Sequence, residues 1–289
     1  MFPASFGYVA ARSVEEALAL VAKHGEDGKL LAGGHSLIPA MKLRLQSPRT
    51  LIDLGTVPGL RGVRQDTAEL VIGALTVHAD VAASELVRKH LPGLAEAASV
   101  IGDVQVRNRG TIGGSVAHAD PAADLPVILT ALNATFVAQS PTGTRTIGVD
   151  DFFTDFYTTA LNANEILTEI RIPIPSSGTG TAYAKLPHPA SGYVVVSAAV
   201  LITRHASGTC TSARIAIGGL GSGPIRAIPA EMELQGKPLT SQVIAAAAAK
   251  AAEETDPVED AYASTEYKQH VATVYARKAI EAAVDRAKS

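Results

Sequence analysis

Residues 31–38 read LAGGHSLI and residues 110–116 read GTIGGSV, so the chain twice places a glycine pair beside hydroxyl side chains. Phosphate recognition needs several backbone N–H groups that point into one concavity, and glycine permits both the unusual dihedral angles and the close approach. A glycine pair after a strand is also common in a simple turn, and either pair alone fits that interpretation. Neither pair matches the Walker loop or the Gly-x-Gly-x-x-Gly fingerprint, which disfavours a P-loop nucleotidase and a Rossmann fold.

The composition is that of an ordinary globular protein. With 289 residues, of which 47% are hydrophobic, the chain can bury a sizeable core in two or more domains. The net charge is -3 and the basic residues are dispersed, so we expect no nucleic-acid partner. No segment reaches the roughly 18 uninterrupted apolar residues of a membrane span, and the N-terminal residues lack the pattern of a secretion signal. We therefore expect a cytoplasmic protein without a membrane span.

The sequence offers few metal ligands. The single cysteine, Cys210, excludes an internal disulfide and a cysteine-ligated iron–sulfur cluster or zinc site within this chain. His35 lies beside the first glycine pair, but no second His, Cys or carboxylate stands at ligand spacing from it. We therefore predict no metal site, and any metal centre must belong to a partner.

The first 55 residues have the pattern of a small mixed unit. Ser13 and Glu16 form a capping box, in which the Ser13 hydroxyl accepts from Glu16 N–H and the Glu16 carboxylate reaches back, and a helix should run to about His24. Residues 29–32 read as a strand, residues 37–45 as a short helix and residues 50–54 as a second strand. This pattern predicts a strand–helix–strand layer.

The rest of the chain predicts two further units. The elements expected before residue 150 are a strand at 71–75, helices at 84–90 and 94–101, and a hairpin of strands 134–139 and 144–149. Residues 172–180 combine proline with small residues, which suits a connection between domains. Strands at 193–203 and 213–217 then precede helices at 241–254 and 264–287, while the glycine-rich residues 218–223 predict a turn.

This order of elements predicts an α+β protein. We place an N-terminal domain at 1–175, with subdomains of about 1–55 and 56–175, and a C-terminal domain at 176–289. The C-terminal domain should contain a small antiparallel sheet and helices.

Two longer stretches resemble a known family. AGGHSLIPAMK at 32–42 and RNRGTIGGSVAHADPAADLP at 107–126 closely resemble the FAD-binding medium subunit of the molybdenum hydroxylases, the xanthine dehydrogenase family. Within it, the sequence is most similar to the carbon monoxide dehydrogenase branch, and the resemblance covers essentially the whole chain. It implies the FAD-binding fold of the vanillyl-alcohol-oxidase (PCMH) type in the N-terminal domain, with one noncovalent FAD.

The resemblance also implies which residues contact the flavin. The positions that match the two diphosphate turns are Ala32, Gly33, Gly34, His35, Ser36 and Leu37 in the first, and Thr111, Ile112, Gly113, Gly114 and Ser115 in the second. Asp124 matches an acidic position that can accept from a ribityl hydroxyl, and Ile101 and Leu167 match apolar positions that line the cofactor. Lys185 matches a lysine near the flavin, where it would stabilise negative charge, and Tyr193 matches a tyrosine near the ring. No residue is implied to be catalytic.

The sequence departs from the family at two places near these positions. Ser115 stands where many relatives have Asn, which preserves a hydrogen-bond donor. Residues 186–192 replace a more charged stretch ahead of Tyr193, so the identity of the electron acceptor stays open.

The implied function is electron transfer within a larger enzyme. Electrons would arrive from a small iron–sulfur subunit and leave through FAD to an external acceptor, while a large molybdenum subunit hydroxylates the substrate. The molybdenum cofactor and [2Fe-2S] clusters would lie only in those partners, in a dimer of heterotrimers, and a peripheral membrane association stays open. The alternatives are a stand-alone FAD-dependent oxidoreductase with its own small-molecule substrate and a nucleotide-binding regulatory module without redox work.

Overall fold

The first sheet is small and parallel. The computed structural model describes residues 1–287, and its N-terminal sheet has the strand order β1-β3-β2, with both outer strands parallel to β3. The elements of this unit are β1 (Gly7–Ala10), α1 (Val14–His24), β2 (Gly28–Leu31), α2 (Leu37–Lys42) and β3 (Thr50–Asp53). The sequence predicts all of them except β1, a half-exposed strand of four residues that is too short to show an alternating pattern.

The predicted capping box forms only in part. The Ser13 hydroxyl accepts from Glu16 N–H at 3.1 Å, as expected. The Glu16 carboxylate, however, accepts from Arg12 N–H at 2.7 Å, so it reaches one residue further back than the capping box predicts.

The second unit is built on an antiparallel sheet. Its strand order is β4-β5-β10-β6-β7, formed by β4 (Val63–Asp66), β5 (Glu69–Gly73), β6 (Thr135–Ser140), β7 (Gly143–Gly148) and β10 (Ile166–Pro173). A two-stranded hairpin, β8 (Phe153–Asp155) and β9 (Thr158–Thr159), lies between β7 and β10. The helices are α3 (His78–Ala83), α4 (Glu85–His90), α5 (Pro92–Ser99), α6 (Val104–Arg107), α7 (Ile112–His118) and α8 (Asp124–Ala131).

The third unit is an antiparallel sheet covered by helices. The strands follow one another in the order β11 (Thr179–Pro187), β12 (Val194–Arg204), β13 (Cys210–Gly218) and β14 (Ile225–Arg226). The helices are α9 (Ile228–Leu234), α10 (Ser241–Ala249) and α11 (Thr265–Arg286). Residues 219–223 form bends without a helix, which confirms the predicted turn. Residues 288 and 289, the end of the predicted C-terminal domain, lie outside the described residues.

The second glycine pair lies in a helix and not in a loop. Gly113 and Gly114 belong to the first turn of α7, and Thr111 is the residue that caps this helix. The sequence did not predict α7 because its first turn, Ile-Gly-Gly-Ser, has poor helix formers. The neighbouring α8 was missed as well, since it is buried along its whole length and shows no amphipathic period.

The third sheet packs closely on the second unit. Gly93 in α5 faces β11 so tightly that a Cβ there would lie 2.8 Å from the Ala182 nitrogen. One buried cluster contains residues of α5 and α8, such as Leu94 and Ile128, together with Tyr183 and Ala199 of the third sheet. This continuous packing fixes β11 against the start of α8.

Candidate functional site

The two glycine turns lie against each other. Gly33 follows β2, and a Cβ at this position would lie 2.1 Å from the Arg109 carbonyl oxygen and 2.9 Å from Gly110 Cα. A Cβ at Gly114 would lie 3.8 Å from Ala32 Cβ. Only glycine allows the approach at Gly33, because real Cβ atoms do not come this close to backbone. The structure therefore brings together the two stretches that the sequence singled out.

The first turn has free backbone donors. The N–H groups of Gly33, Gly34, His35 and Ser36 make no hydrogen bond within the described residues 1–287. Gly34 has φ +76°, in the left-handed region, and Ser36 has a right-handed conformation with φ -109° and ψ -47°. Successive free amides in a turn that mixes these conformations form a concavity for an anion.

The second turn has used all but one of its backbone donors, because only the Thr111 N–H makes no hydrogen bond within residues 1–287. The Ile112 N–H donates to the Thr76 carbonyl (3.0 Å), and the Gly113 N–H donates to the Ala74 carbonyl (2.8 Å). The Gly114 N–H donates to Thr111 Oγ1 (3.1 Å), and the Ser115 N–H donates to the Thr111 carbonyl (3.0 Å). The expectation of backbone amides from both turns therefore holds for four groups in the first turn and for Thr111 alone in the second. Thr111 and Gly113 are buried, whereas the half-buried Ser115 leaves its hydroxyl without a partner among residues 1–287.

Two histidines flank the turns. The exposed His35 has Nδ1 3.1 Å from the Gly33 carbonyl oxygen, a local contact within the first turn. His78, which sequence reasoning missed, is buried under Gly110, and its backbone N–H donates to the Gly110 carbonyl at 3.0 Å. Burial lowers the pKa of His78 to about 4, with smaller contributions from His35 and Arg107, so the ring is neutral near pH 7. Nothing in the sequence around His78 marks it as part of this region.

A buried ion pair connects the second unit to the third sheet. Asp124 opens α8, and its Oδ1 accepts from Lys185 Nζ at 2.7 Å and from the Tyr183 hydroxyl at 2.9 Å. The side chains of Lys185 and Asp124 are only 6% and 5% exposed. Burial raises the pKa of Asp124, while the Lys185 ammonium and the Tyr183 hydroxyl each oppose that rise. Lys185 also donates to the Gly192 carbonyl at 2.7 Å, and thereby fixes the residue before Tyr193.

The remaining predicted positions differ in exposure. Tyr193 is 45% exposed, and partial burial together with the charges of Asp120 and Asp124 raises its pKa. Leu167 is buried in β10, and the half-buried Ile101 packs against the same hydrophobic cluster.

A cavity of about 830 Å³ opens beside β11. Its walls include Glu96, Gly102, Lys185, Gly192 and Tyr275, and neither glycine turn lines it. The cavity is therefore distinct from the concavity of the first turn, although Lys185 borders it.

Among residues 1–287, no group of three or more His, Cys, Asp or Glu side chains is arranged to hold a metal ion. No helix of that part of the chain is both long and apolar enough to cross a membrane.

Comparison with protein-family models divides the chain into two matches. The FAD binding domain in molybdopterin dehydrogenase matches residues 4–175. The CO dehydrogenase flavoprotein C-terminal domain matches residues 181–283.

Individual relatives match over their full length. The chain is 43% identical to the carbon monoxide dehydrogenase medium chain of Hydrogenophaga pseudoflava over 98% of each chain. It is 40% identical to the 6-hydroxypseudooxynicotine dehydrogenase complex subunit alpha of Paenarthrobacter nicotinovorans, over 100% of this chain and 97% of that one. Among solved structures, carbon monoxide dehydrogenase from Hydrogenophaga pseudoflava that lacks the Mo-pyranopterin moiety matches with a TM-score of 0.95, 44% identity and 99% coverage of each chain.

These matches favour an electron-transfer subunit over a stand-alone flavin oxidoreductase. The first relative is named as the medium chain of carbon monoxide dehydrogenase and the second as a subunit of a dehydrogenase complex, so both are parts of multi-subunit enzymes. The chain belongs to the family of FAD-binding medium subunits of the molybdenum hydroxylases and is a flavoprotein component of such an oxidoreductase.

Proposed function

We propose that the first glycine turn holds the diphosphate of FAD through its backbone. The free N–H groups of residues 33–36 carry this proposal, because they are the donors that a bound anion would satisfy. Hydrogen bonds to a charged oxygen contribute about 1.5–3 kcal/mol each, so a few of them can hold a diphosphate without a basic side chain. The donor set therefore fits the cofactor that the family binds.

The second turn supports the first and adds a hydroxyl. The backbone of Arg109 and Gly110 forms the wall against Gly33, and the Ser115 hydroxyl completes the donor set. Thr111, Ile112, Gly113 and Gly114 act by shaping α7. The other proposed cofactor-binding residues are Ala32, Leu37, Ile101, Leu167, Asp124 and Lys185, with Tyr193 near the flavin ring.

In this proposal, the Asp124–Lys185 pair lies near the flavin ring. Bound FAD supplies the conversion between two-electron and one-electron transfer. Lys185 presents an ammonium held by Asp124, and the phenol of Tyr193 is half exposed. In this arrangement, electrons from an iron–sulfur subunit pass through the flavin to an external acceptor.

The proposed assembly follows the relatives. A large molybdenum subunit and a small iron–sulfur subunit would join this chain in a dimer of heterotrimers in the cytoplasm. The functional units would be residues 1–175, with subdomains of about 1–55 and 56–175, and residues 176–289. The substrate would be selected by the molybdenum subunit, since relatives of this chain serve enzymes for both carbon monoxide and 6-hydroxypseudooxynicotine.

Gly33→Ala tests the diphosphate proposal. The added Cβ would lie 2.1 Å from the Arg109 carbonyl oxygen, so the first turn must move away from the second. We expect FAD retention to fall at least tenfold, which corresponds to about 1.4 kcal/mol. The measurement is the ratio of flavin to protein absorbance after purification and the dissociation constant for added FAD.

Gly148→Ala is the matched control. A Cβ at Gly148 meets no atom within 4 Å, so this variant should keep wild-type flavin content. Equal FAD affinity in both variants would remove the first turn from the site.

A further inference from the structure

Tyr183 and Lys185 donate hydrogen bonds to the same carboxylate, that of Asp124. The Tyr183 hydroxyl and Lys185 Nζ both donate to Asp124 Oδ1, at 2.9 and 2.7 Å. The two donors are two residues apart on β11, so they project from the same face of the strand. Tyr183 itself is only 8% exposed, and water cannot readily replace its hydrogen bond.

The backbone of Tyr183 is fixed independently of this bond. Its N–H donates to the Glu96 carboxylate at 3.2 Å. Glu96 is paired with Arg286 at the end of α11, and Arg286 donates to the Thr181 carbonyl at 2.8 Å. The strand from Thr181 to Lys185 is therefore held to both α5 and α11, and the phenol has little freedom to leave Asp124.

A buried ion pair depends on such extra donors. The attraction between two buried charges offsets their desolvation only when hydrogen bonds satisfy the remaining lone pairs. Tyr183 supplies a neutral donor that favours the charged form of Asp124 without adding charge of its own. While Asp124 is ionised, the Asp124–Lys185 pair is neutral, and when Asp124 is protonated, the pair carries one positive charge.

We propose that Tyr183 is a positioning residue that acts through Asp124 on Lys185, and so sets the charge that this pair presents to the flavin. The inference rests on the proposed function, because it takes the flavin ring to lie beside Lys185. Tyr183 is not among the residues that the family resemblance implies for the cofactor.

The proposal predicts a dependence on pH. The titratable groups that face Asp124 are Lys185 and Tyr183 from β11 and Tyr193 from the segment before β12. Burial raises the pKa of Asp124 and the Tyr183 hydrogen bond lowers it, so removing the hydroxyl raises that pKa further. In Tyr183→Phe, the pair therefore becomes positive at a higher pH than in the wild type. Positive charge favours added electrons, so the flavin midpoint potential of the variant should exceed that of the wild type in this pH window.

The experiment compares full-length, FAD-loaded Tyr183→Phe with the wild type. The flavin midpoint potential is measured by dye-equilibrated absorbance titration from pH 5 to pH 9, together with FAD content and thermal stability. We expect the variant's potential to exceed the wild-type value within a limited pH window and to coincide with it at both ends. Tyr8→Phe is the matched control, because the exposed Tyr8 also donates its hydroxyl to a carboxylate, Asp53 Oδ2 at 2.5 Å, and it should follow the wild-type curve.

Two further variants separate the outcomes. If Lys185→Met changes the potential but Tyr183→Phe follows the wild type at every pH, the positioning role is wrong and the proposed site stands. If Lys185→Met also leaves the potential of bound flavin unchanged, the proposed site is wrong, and this inference fails with it.

Should Tyr183→Phe not fold, Asp124→Asn decides the question. This variant makes the pair permanently positive, so the flavin potential should exceed the wild-type value at high pH and equal it at low pH. No difference at high pH overturns the proposal.

Discussion

Asp124 and Lys185 share one buried position although 60 residues separate them in the sequence. Asp124 begins α8 and Lys185 lies near the end of β11, and their side chains form an ion pair at 2.7 Å with little exposure. Because the pair is buried, its geometry is much better defined than that of a surface salt bridge. The family resemblance implies Asp124 for the ribityl chain and Lys185 for the flavin ring. The ion pair therefore joins these two residues directly.

Lys185→Met should destabilise the protein and lower the flavin potential. Removal of Lys185 leaves the buried Asp124 without its ionic partner, which costs about 3–5 kcal/mol in comparable buried pairs. The uncompensated carboxylate then disfavours electrons on the flavin. Urea unfolding gives the first effect, and potentiometric titration of the FAD-loaded variant gives the second.

Lys237→Met is the control for Lys185→Met. Lys237 pairs with Glu233 on the surface, where its side chain is 45% exposed, so its removal should cost less than about 1 kcal/mol. An equal loss of stability in the two variants, or an unchanged potential in Lys185→Met, would contradict the assigned role.

At the scale of elements, α7 holds the second turn in place. Its first amides are bonded to Ala74 and Thr76, just after β5, and Thr111 caps the helix by accepting from Gly114 N–H. Gly113 fits only because it lacks a Cβ, which would lie 2.5 Å from Ala74 Cβ. These contacts fix the backbone of residues 109–111, against which Gly33 packs.

Thr111→Ala should weaken both the fold and FAD binding. Loss of the cap costs about 1 kcal/mol of stability, and the freed first turn of α7 no longer supports the first glycine turn. The measurements are the free energy of unfolding and the dissociation constant for FAD.

Ser13→Ala is the control for Thr111→Ala, because it removes a cap of the same kind from another helix. Ser13 caps α1 by accepting from Glu16 N–H, so its removal should cost a similar amount of stability and leave FAD affinity unchanged. If both variants bind FAD as the wild type does, α7 does not support the site.

The same elements explain how far the sequence could predict the structure. Helix α1 and the hairpin of β6 and β7 follow from capping, periodicity and turn residues, and the structure confirms them within one or two residues. The bonds from α7 to Ala74 and Thr76 depend on tertiary contacts between segments about 40 residues apart, which no local pattern reveals. The sequence did not predict β11, the strand that contains Tyr183, and the role of Tyr183 depends on the distant Asp124.

Two contacts join the three units of the molecule. The first turn comes from the parallel sheet, α7 and α8 come from the second unit, and β11 comes from the third sheet. The contact of Gly33 with Arg109 joins the first unit to the second. The ion pair of Asp124 and Lys185 joins the second unit to the third. The single cysteine of the chain excludes a cysteine-ligated iron–sulfur cluster within it, and the family to which the chain belongs binds FAD.

The most direct test of this account is the flavin content of the full-length wild-type protein, purified gently from a flavin-replete host. Acid precipitation followed by chromatography of the supernatant identifies the released flavin and gives its ratio to protein. We predict one FAD per chain, released completely because it is held without a covalent bond. Protein without flavin, or flavin that stays attached to the precipitate, would contradict the account.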